Sequence, residues 1–186
     1  SNAHLGLTGT NVGVDFDGQR VVKTKGGSGW NAQVYSNTSF SGGCYVSFSP
    51  VGHSISWMGG LNSDPTKDAS YYSLDYAWYF SGQDCLVYQA GKKVAGNWRF
   101  LPTDTFTITY DNHRVRFMQN GVVRRTSTVA SGQRLHFDSS FHHRGLACDM
   151  LAFGPMGPEG ATGAKGSTGA KGSIGPKGLT GPKGST

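Results

Sequence analysis

The chain has 186 residues, 29 of them glycine, and its 17 basic against 11 acidic side chains give a net charge of +6. That charge is spread without a block of about five like residues, which argues against a polybasic nucleic-acid tail, and no apolar run is long enough to cross a membrane. Three cysteines, Cys44, Cys85 and Cys148, cannot close a disulfide set and match no zinc spacing, so they read as buried thiols, with one pair plus a free thiol left open.

Ser1-Asn2-Ala3 reads as a tag-cleavage remnant and is set aside. Residues 4–153 have ordinary globular composition, and about 150 residues are enough for one hydrophobic core. Helical periodicity is absent, and every apolar stretch is punctuated by Gly, Ser or Asn. Short runs rich in Val, Tyr, Phe, Trp and Thr take its place. In chain order they are Gln33-Val34-Tyr35, Cys44-Tyr45-Val46-Ser47-Phe48, Ile55-Ser56-Trp57-Met58-Gly59, Tyr76-Ala77-Trp78-Tyr79-Phe80 and Cys85-Leu86-Val87-Tyr88.

From Asp104 the alternation is regular. Phe106, Ile108 and Tyr110 are predicted to face a core while Thr105, Thr107 and Thr109 face out. Asp111-Asn112-His113 supplies a turn, after which Val115 and Phe117 point in and Arg114 and Arg116 point out. Asn120-Gly121 is a strong hairpin signal, because a type I′ turn needs positive φ at both central residues, and Val122-Val123 begins the return strand. The segment therefore predicts a three-stranded antiparallel meander. The number of short strands predicts an all-β, two-sheet antiparallel β-sandwich. Its last run, Leu146 to Phe153, leads into Gly154 without a linker.

Residues 154–186 change register. Glycine recurs at every third position: Gly154, Gly157, Gly160, Gly163, Gly166, Gly169, Gly172, Gly175, Gly178, Gly181 and Gly184. Only glycine fits at the axis of a collagen triple helix, so a strict period of three predicts a collagen-like stalk and a homotrimer. A flexible linker needs glycine but not glycine in register. Proline stands only at the second triplet position (Pro155, Pro158, Pro176 and Pro182), and seven of the eleven triplets have none. Such a helix does not depend on hydroxyproline, which points to a bacterial or viral source, and it is weak by itself. The head is therefore expected to register the three chains. The repeat runs to the last residue, so a longer natural chain is expected.

Several segments of the head carry a resemblance. Ser41-Gly42-Gly43-Cys44-Tyr45-Val46-Ser47-Phe48, Ile55-Ser56-Trp57-Met58-Gly59-Gly60-Leu61, Asp75-Tyr76-Ala77-Trp78-Tyr79 and Val115-Arg116-Phe117-Met118-Gln119-Asn120-Gly121 occur in an order that resembles the SPRY-like branch of the concanavalin A-like sandwich superfamily, across residues 12–153. Similar heads joined to collagen-like repeats occur in phage and viral fibres and in bacterial surface proteins. The resemblance implies a role in attachment or fibre assembly, on a virion or a bacterial surface.

That superfamily also includes glycan-cleaving enzymes, but a retaining glycosidase needs two carboxyl groups about 5 Å apart. The head has no glutamate, and Asp15-Phe16-Asp17, which has suitable spacing, reads as a turn before Gly18. No Gly-x-Ser-x-Gly elbow is present. No enzymatic activity and no cofactor are expected. His136, Asp138, His142 and His143 are ligand-type residues close in sequence, but their spacing favours a polar loop over a zinc site. There is no EF-hand loop, and a calcium site assembled from scattered loop residues stays open.

Binding is the better expectation. Trp30, Trp57, Trp78, Trp98, Tyr71, Tyr72 and Tyr79 give a high aromatic load, and aromatic rings serve both cores and ligand platforms. Trp57 and Trp78 are expected in the core, and Trp98, after Gly96-Asn97, at the surface. The candidate ligand-binding set is Asn62, Asp64, Tyr72, Asn97, Trp98 and Arg99, with a cell-surface glycan or protein receptor as partner. A purely structural trimerisation module is the alternative. Arg114, Arg116, Arg124 and Arg125 read as a solvated strand face rather than a nucleic-acid patch.

Overall fold

The computed structural model describes residues 7–157 together with 181, 183 and 184. Gly160, Gly163, Gly166, Gly169, Gly172, Gly175 and Gly178, and with them the expected triple helix, lie outside the described residues. Among those described, the chain forms strands β1 (Gly9–Val12), β2 (Val14–Phe16), β3 (Arg20–Lys23), β4 (Gln33–Ser36), β5 (Phe40–Ser41), β6 (Cys44–Ser49), β7 (Trp57–Asn62) and β8 (Tyr76–Ser81). They continue as β9 (Asp84–Gln89), β10 (Lys92–Arg99), β11 (Phe106–Tyr110), β12 (Arg114–Gln119), β13 (Val122–Thr128), β14 (Arg134–Phe141) and β15 (Gly145–Pro155). One 3-10 turn, Tyr71–Ser73, interrupts them.

The strands pair antiparallel in two large sheets, ordered β10-β9-β8-β7-β14-β5 and β13-β12-β11-β6-β15-β3-β2. The all-β sandwich expected from the sequence is the one observed. Alternation decides which side chains meet between the sheets. Phe106, Ile108 and Tyr110 of β11 and Val115 and Phe117 of β12 are fully buried, as are Cys44, Val46 and Phe48 of β6. They face Trp57, Trp78, Phe80, Phe137 and Phe141 from the six-stranded sheet in one continuous core. The meander is in the expected register, with Ile108 opposite Phe117 and Gln119 opposite Val122. Its hairpin carries Asn120 at φ 50° and Gly121 at φ 77°.

A short pair, β1 and β4, lies alongside β14. Side-chain hydroxyls replace a regular ladder there. Ser139 Oγ accepts from Val34 N at 3.0 Å and donates to Val34 O at 2.6 Å, and Phe137 N donates to Ser36 Oγ at 3.0 Å.

Two loop readings change. Asp15 and Phe16 belong to β2, and only Asp17 turns the chain, its Oδ1 accepting from Gln19 N at 2.9 Å and Arg20 N at 2.7 Å. His136 and Asp138 sit in β14 rather than in a polar loop with His142 and His143. That strand hides its pattern because Asp138, Ser139 and Ser140 are all buried. Ile55 and Ser56 precede β7 instead of opening it. All three cysteines are buried and free, and burial pushes the Cys44 and Cys85 thiols up to about 12.

The last strand runs past Phe153. Gly154 pairs with Tyr45 and Pro155 with Cys44, and Met156 N donates to Gly43 O at 3.1 Å. A Cβ on Gly43 would lie 2.1 Å from Met156 O, so this close approach requires glycine. The chain thus leaves the sandwich from the middle of the seven-stranded sheet. The exit borders a cleft of about 450 Å³ lined by Thr109, Asp111, Arg116, Met118, Met156 and Gly157.

Candidate functional site

The outer face of the six-stranded sheet carries a second aromatic group. In β7, β8 and β9 the residues next to the core positions point away from it: Met58, Tyr79 and Tyr88. Tyr79 sits directly opposite Met58 across the β7–β8 pair, and Tyr88 opposite Ala77 across the β8–β9 pair. Trp30, from the loop between β3 and β4, and Tyr71, from the 3-10 turn, close over them. Together these five residues line a half-open pocket of about 60 Å³.

Polar contacts hold each overhanging ring in place. Lys23 of β3 is almost fully buried. Its Nζ donates to Gly29 O at 2.9 Å, Asn31 Oδ1 at 2.8 Å, Phe141 O at 3.1 Å and His142 O at 2.7 Å. One ammonium therefore ties the Trp30 loop to the end of β14. Burial, with the nearby Arg144 charge, holds the Lys23 pKa below its ordinary value. The His142 ring then packs edge-on against Trp30 at 5.2 Å.

The Tyr71 side is anchored by the segment that follows β7. Asn62 Nδ2 donates to Asp138 Oδ2 at 2.9 Å, and Asp64 N donates to Asn62 Oδ1 at 3.3 Å. Ser63 gives both its N–H and its hydroxyl to Asp75 Oδ2, and Ser140 Oγ donates to Ala69 O at 2.7 Å. Asp68 Oδ1 accepts from Ser70 N and Ser73 Oγ, both at 2.9 Å, and Ser70 Oγ caps the 3-10 turn. Asp138 is buried without a cation, and burial pushes its carboxyl up to about 8, opposed by the hydrogen bonds from Asn62 and Ser139. Burial of a carboxyl disfavours its charged form. Tyr71 is also pushed up to about 12, by its hydrogen bond with Tyr72 and by burial.

The six residues singled out from sequence fall into separate places. Asn62 is fully buried and acts as a strut, and Asp64 lies exposed on the segment it supports. Tyr72 is 67% exposed and stacks on Tyr71 at 4.3 Å, so it stands at the pocket's rim. Asn97 and Arg99 lie on edge strand β10, where both contact Asp84 at 3.4 Å and Lys93 Nζ donates to Asn97 Oδ1 at 2.7 Å. Trp98 was expected at the surface, but it is half-buried against the core. It pairs with Cys85, meets Trp78 edge-on at 5.9 Å and lies under the Arg124 guanidinium at 5.7 Å. The pocket residues Trp30, Tyr71 and Tyr79 belonged to the aromatic load, whereas Met58 and Tyr88 were missed as site residues. Strict alternation next to Trp57 and Val87 is the signal that finds them.

Among the described residues, no group of three or more His, Cys, Asp or Glu side chains is placed to hold a metal ion. His136 Nδ1 instead donates to Ser36 O at 2.8 Å. The arginines of the meander are engaged: Arg116 pairs with Asp111 at 2.9 Å, and Arg124 donates to Gln119 Oε1 at 3.1 Å.

Comparison with solved structures defines the class of fold. The SPRY domain of human HERC1 is similar with a TM-score of 0.56 and 16% identity, over 78% of this chain and 92% of that one. The TRIM65 PSpry domain gives 0.58 and 14%, over 81% and 97%. The carbohydrate recognition domain of Emp46p gives 0.51 and 12%, over 78% and 85%. The head therefore has the β-sandwich fold of SPRY and concanavalin A-like, lectin-like domains, as the resemblance in its sequence implied. No protein-family model matches the sequence, and no curated protein matches it.

Proposed function

We propose that this chain forms a homotrimeric fibre or surface protein, on a virion or a bacterial surface, whose sandwich registers a collagen-like triple helix and attaches to a cell-surface glycan or receptor. One observation carries the reading: the two functional features lie on opposite sheets. The aromatic pocket opens on the outer face of the six-stranded sheet, while the chain leaves from β15 in the seven-stranded sheet. Heads gathered by their tails on one side turn three pockets outward. Three weak sites on one stalk then gain avidity without new contacts. The likeness to a carbohydrate recognition domain and to SPRY domains supports a carbohydrate- or protein-binding module.

The test is a glycan array probed with the full chain, with its mass followed by sedimentation. A trimer that binds defined glycans, and loses them on Tyr72→Ala, is the expected result. A second reading, a trimerisation and capping module without a ligand, is favoured by the ladder that continues through Pro155 and the Met156–Gly43 hydrogen bond. It predicts no array binding, together with loss of the trimer when the sandwich is removed.

A further inference from the structure

The first glycine of the triplet series serves the head. Gly154 is buried in β15, and a Cβ there would lie 3.2 Å from the Tyr45 ring. Gly157 is different. It is exposed, its φ lies outside the left-handed region, and a Cβ on it would meet no described atom within 4 Å. Neither its own backbone nor its own head requires glycine at that position. The period of three does, because a side chain is excluded where other chains pack about the axis. On the triple-helical reading the first axis position is thus Gly157 rather than Gly154.

Gly157 also forms one wall of the cleft of about 450 Å³ at the chain's exit. A chain that covers Gly157 on that side lies over this cleft. Its volume is the liquid share of about 15 waters, enough for several side chains. On one side of the lining the charges are engaged within the head: Asp111 is buried, with Arg116 at 2.9 Å and Arg114 at 3.6 Å. On the other side stand Thr109, Met118 and Met156, all half-buried. Unbranched thioethers adapt to fill irregular apolar space. The start of the stalk suits such a lining. From Gly154 to Pro158 it reads Gly-Pro-Met-Gly-Pro, without a charge, whereas lysine recurs from Lys165 onward. Glu159, the stalk's one acidic residue, comes next and is opposite in sign to Arg114 and Arg116.

We infer that the cleft beside Thr109, Met118 and Met156 receives the 155–158 segment of a second copy of this chain. This rests on the trimeric reading above and names the surface by which the head sets the register of the stalk. The contact is head-to-tail: the exit segment of one copy lies in the cleft of the next. Such a contact forms a closed ring when the rotation closes, and three chains about one axis supply a threefold rotation. Exit and cleft adjoin on every head, so each copy gives one segment and receives another.

The test uses the full chain carrying Thr109→Cys under one affinity tag, co-expressed with the full chain carrying Met156→Cys under another. A short bismaleimide is expected to join the two tags within a trimer, with sedimentation reporting the mass. The three native cysteines are buried and free, so they stay out of the reaction. A separate variant, Met118→Lys, places a charge in each cleft and should weaken the trimer at least about 10-fold, because a buried charge without a partner is costly. Met118→Leu should restore it. A trimer in which the two tags are not joined overturns the inference and leaves the trimeric reading standing. So does a cross-link that forms only when both substitutions are on one chain, and so does a folded Met118→Lys variant with undiminished association. Unsubstituted chain that sediments as a monomer at every concentration overturns the trimeric reading itself, and this inference with it. The cross-link decides even where Met118→Lys fails to fold.

Discussion

Strands β7, β8 and β9 carry large side chains on both faces, and the two faces serve different ends. On the inner face Trp57, Trp78 and Phe80 are shut off from water and meet the opposite sheet, with Phe80 at 4.7 Å from both Trp57 and Phe106. On the outer face Tyr79 and Tyr88 are only half-buried, and the walls that complete their pocket come from a loop and a 3-10 turn. The inner group is dry and self-complementary, so it stabilises the sandwich. The outer group keeps an open mouth toward solvent. Aromatic content alone does not separate these fates. The pleat does, together with the polar struts, Lys23 and Asn62, that hold the overhanging walls.

Substitutions ordered by size test this division. Trp78→Ala should cost the most, about 3–5 kcal/mol in urea unfolding, as for other buried large-to-small changes. Tyr79→Ala, one residue along the same strand, should cost less than half as much, and an equal loss would break the distinction between the faces. Lys23→Met comes next. It leaves four oxygens without their cationic donor and should cost about 2–3 kcal/mol, given the worth of hydrogen bonds to a charged group. The Trp30 emission should shift to the red in the folded protein, and an unchanged spectrum would show that the lysine does not position that wall. The smallest effect is expected for Arg124→Ala, which removes the guanidinium from Trp98 and should cost about 0.5–1 kcal/mol. A larger loss would mean that Trp98 belongs with the inner group rather than at its border.

The meander was legible because its two signals are local. Phe106, Ile108 and Tyr110 alternate with threonine, and Asn120-Gly121 fixes the turn. Strand β14 was not legible, because its polar residues Asp138, Ser139 and Ser140, which fall on both faces, are buried under partners supplied by β4, β7 and the 63–70 segment. Polar residues covered from distant parts of the chain look like loop residues in sequence. Strand β10 was missed for the opposite reason: as an edge strand it is largely exposed and shows no alternation. Of the candidate binding residues, Tyr72 lies at the pocket, whereas Asn62 supports it from below and Trp98 turns inward.

The sequence by itself determined three things: an all-β sandwich, buried thiols, and a glycine period of three after residue 153. Each depends on a pattern between near neighbours, whether pleat, apolar run or triplet. Trp57, Trp78, Phe106 and Tyr110 were already expected in the core and are buried there, but only the tertiary structure decided which of the other aromatic residues form a pocket. It also put that pocket and the chain's exit on different sheets. These outcomes depend on which strands become neighbours and which loops fold over them. The pocket is built from residues 30, 58, 71, 79 and 88, and no local period links those positions.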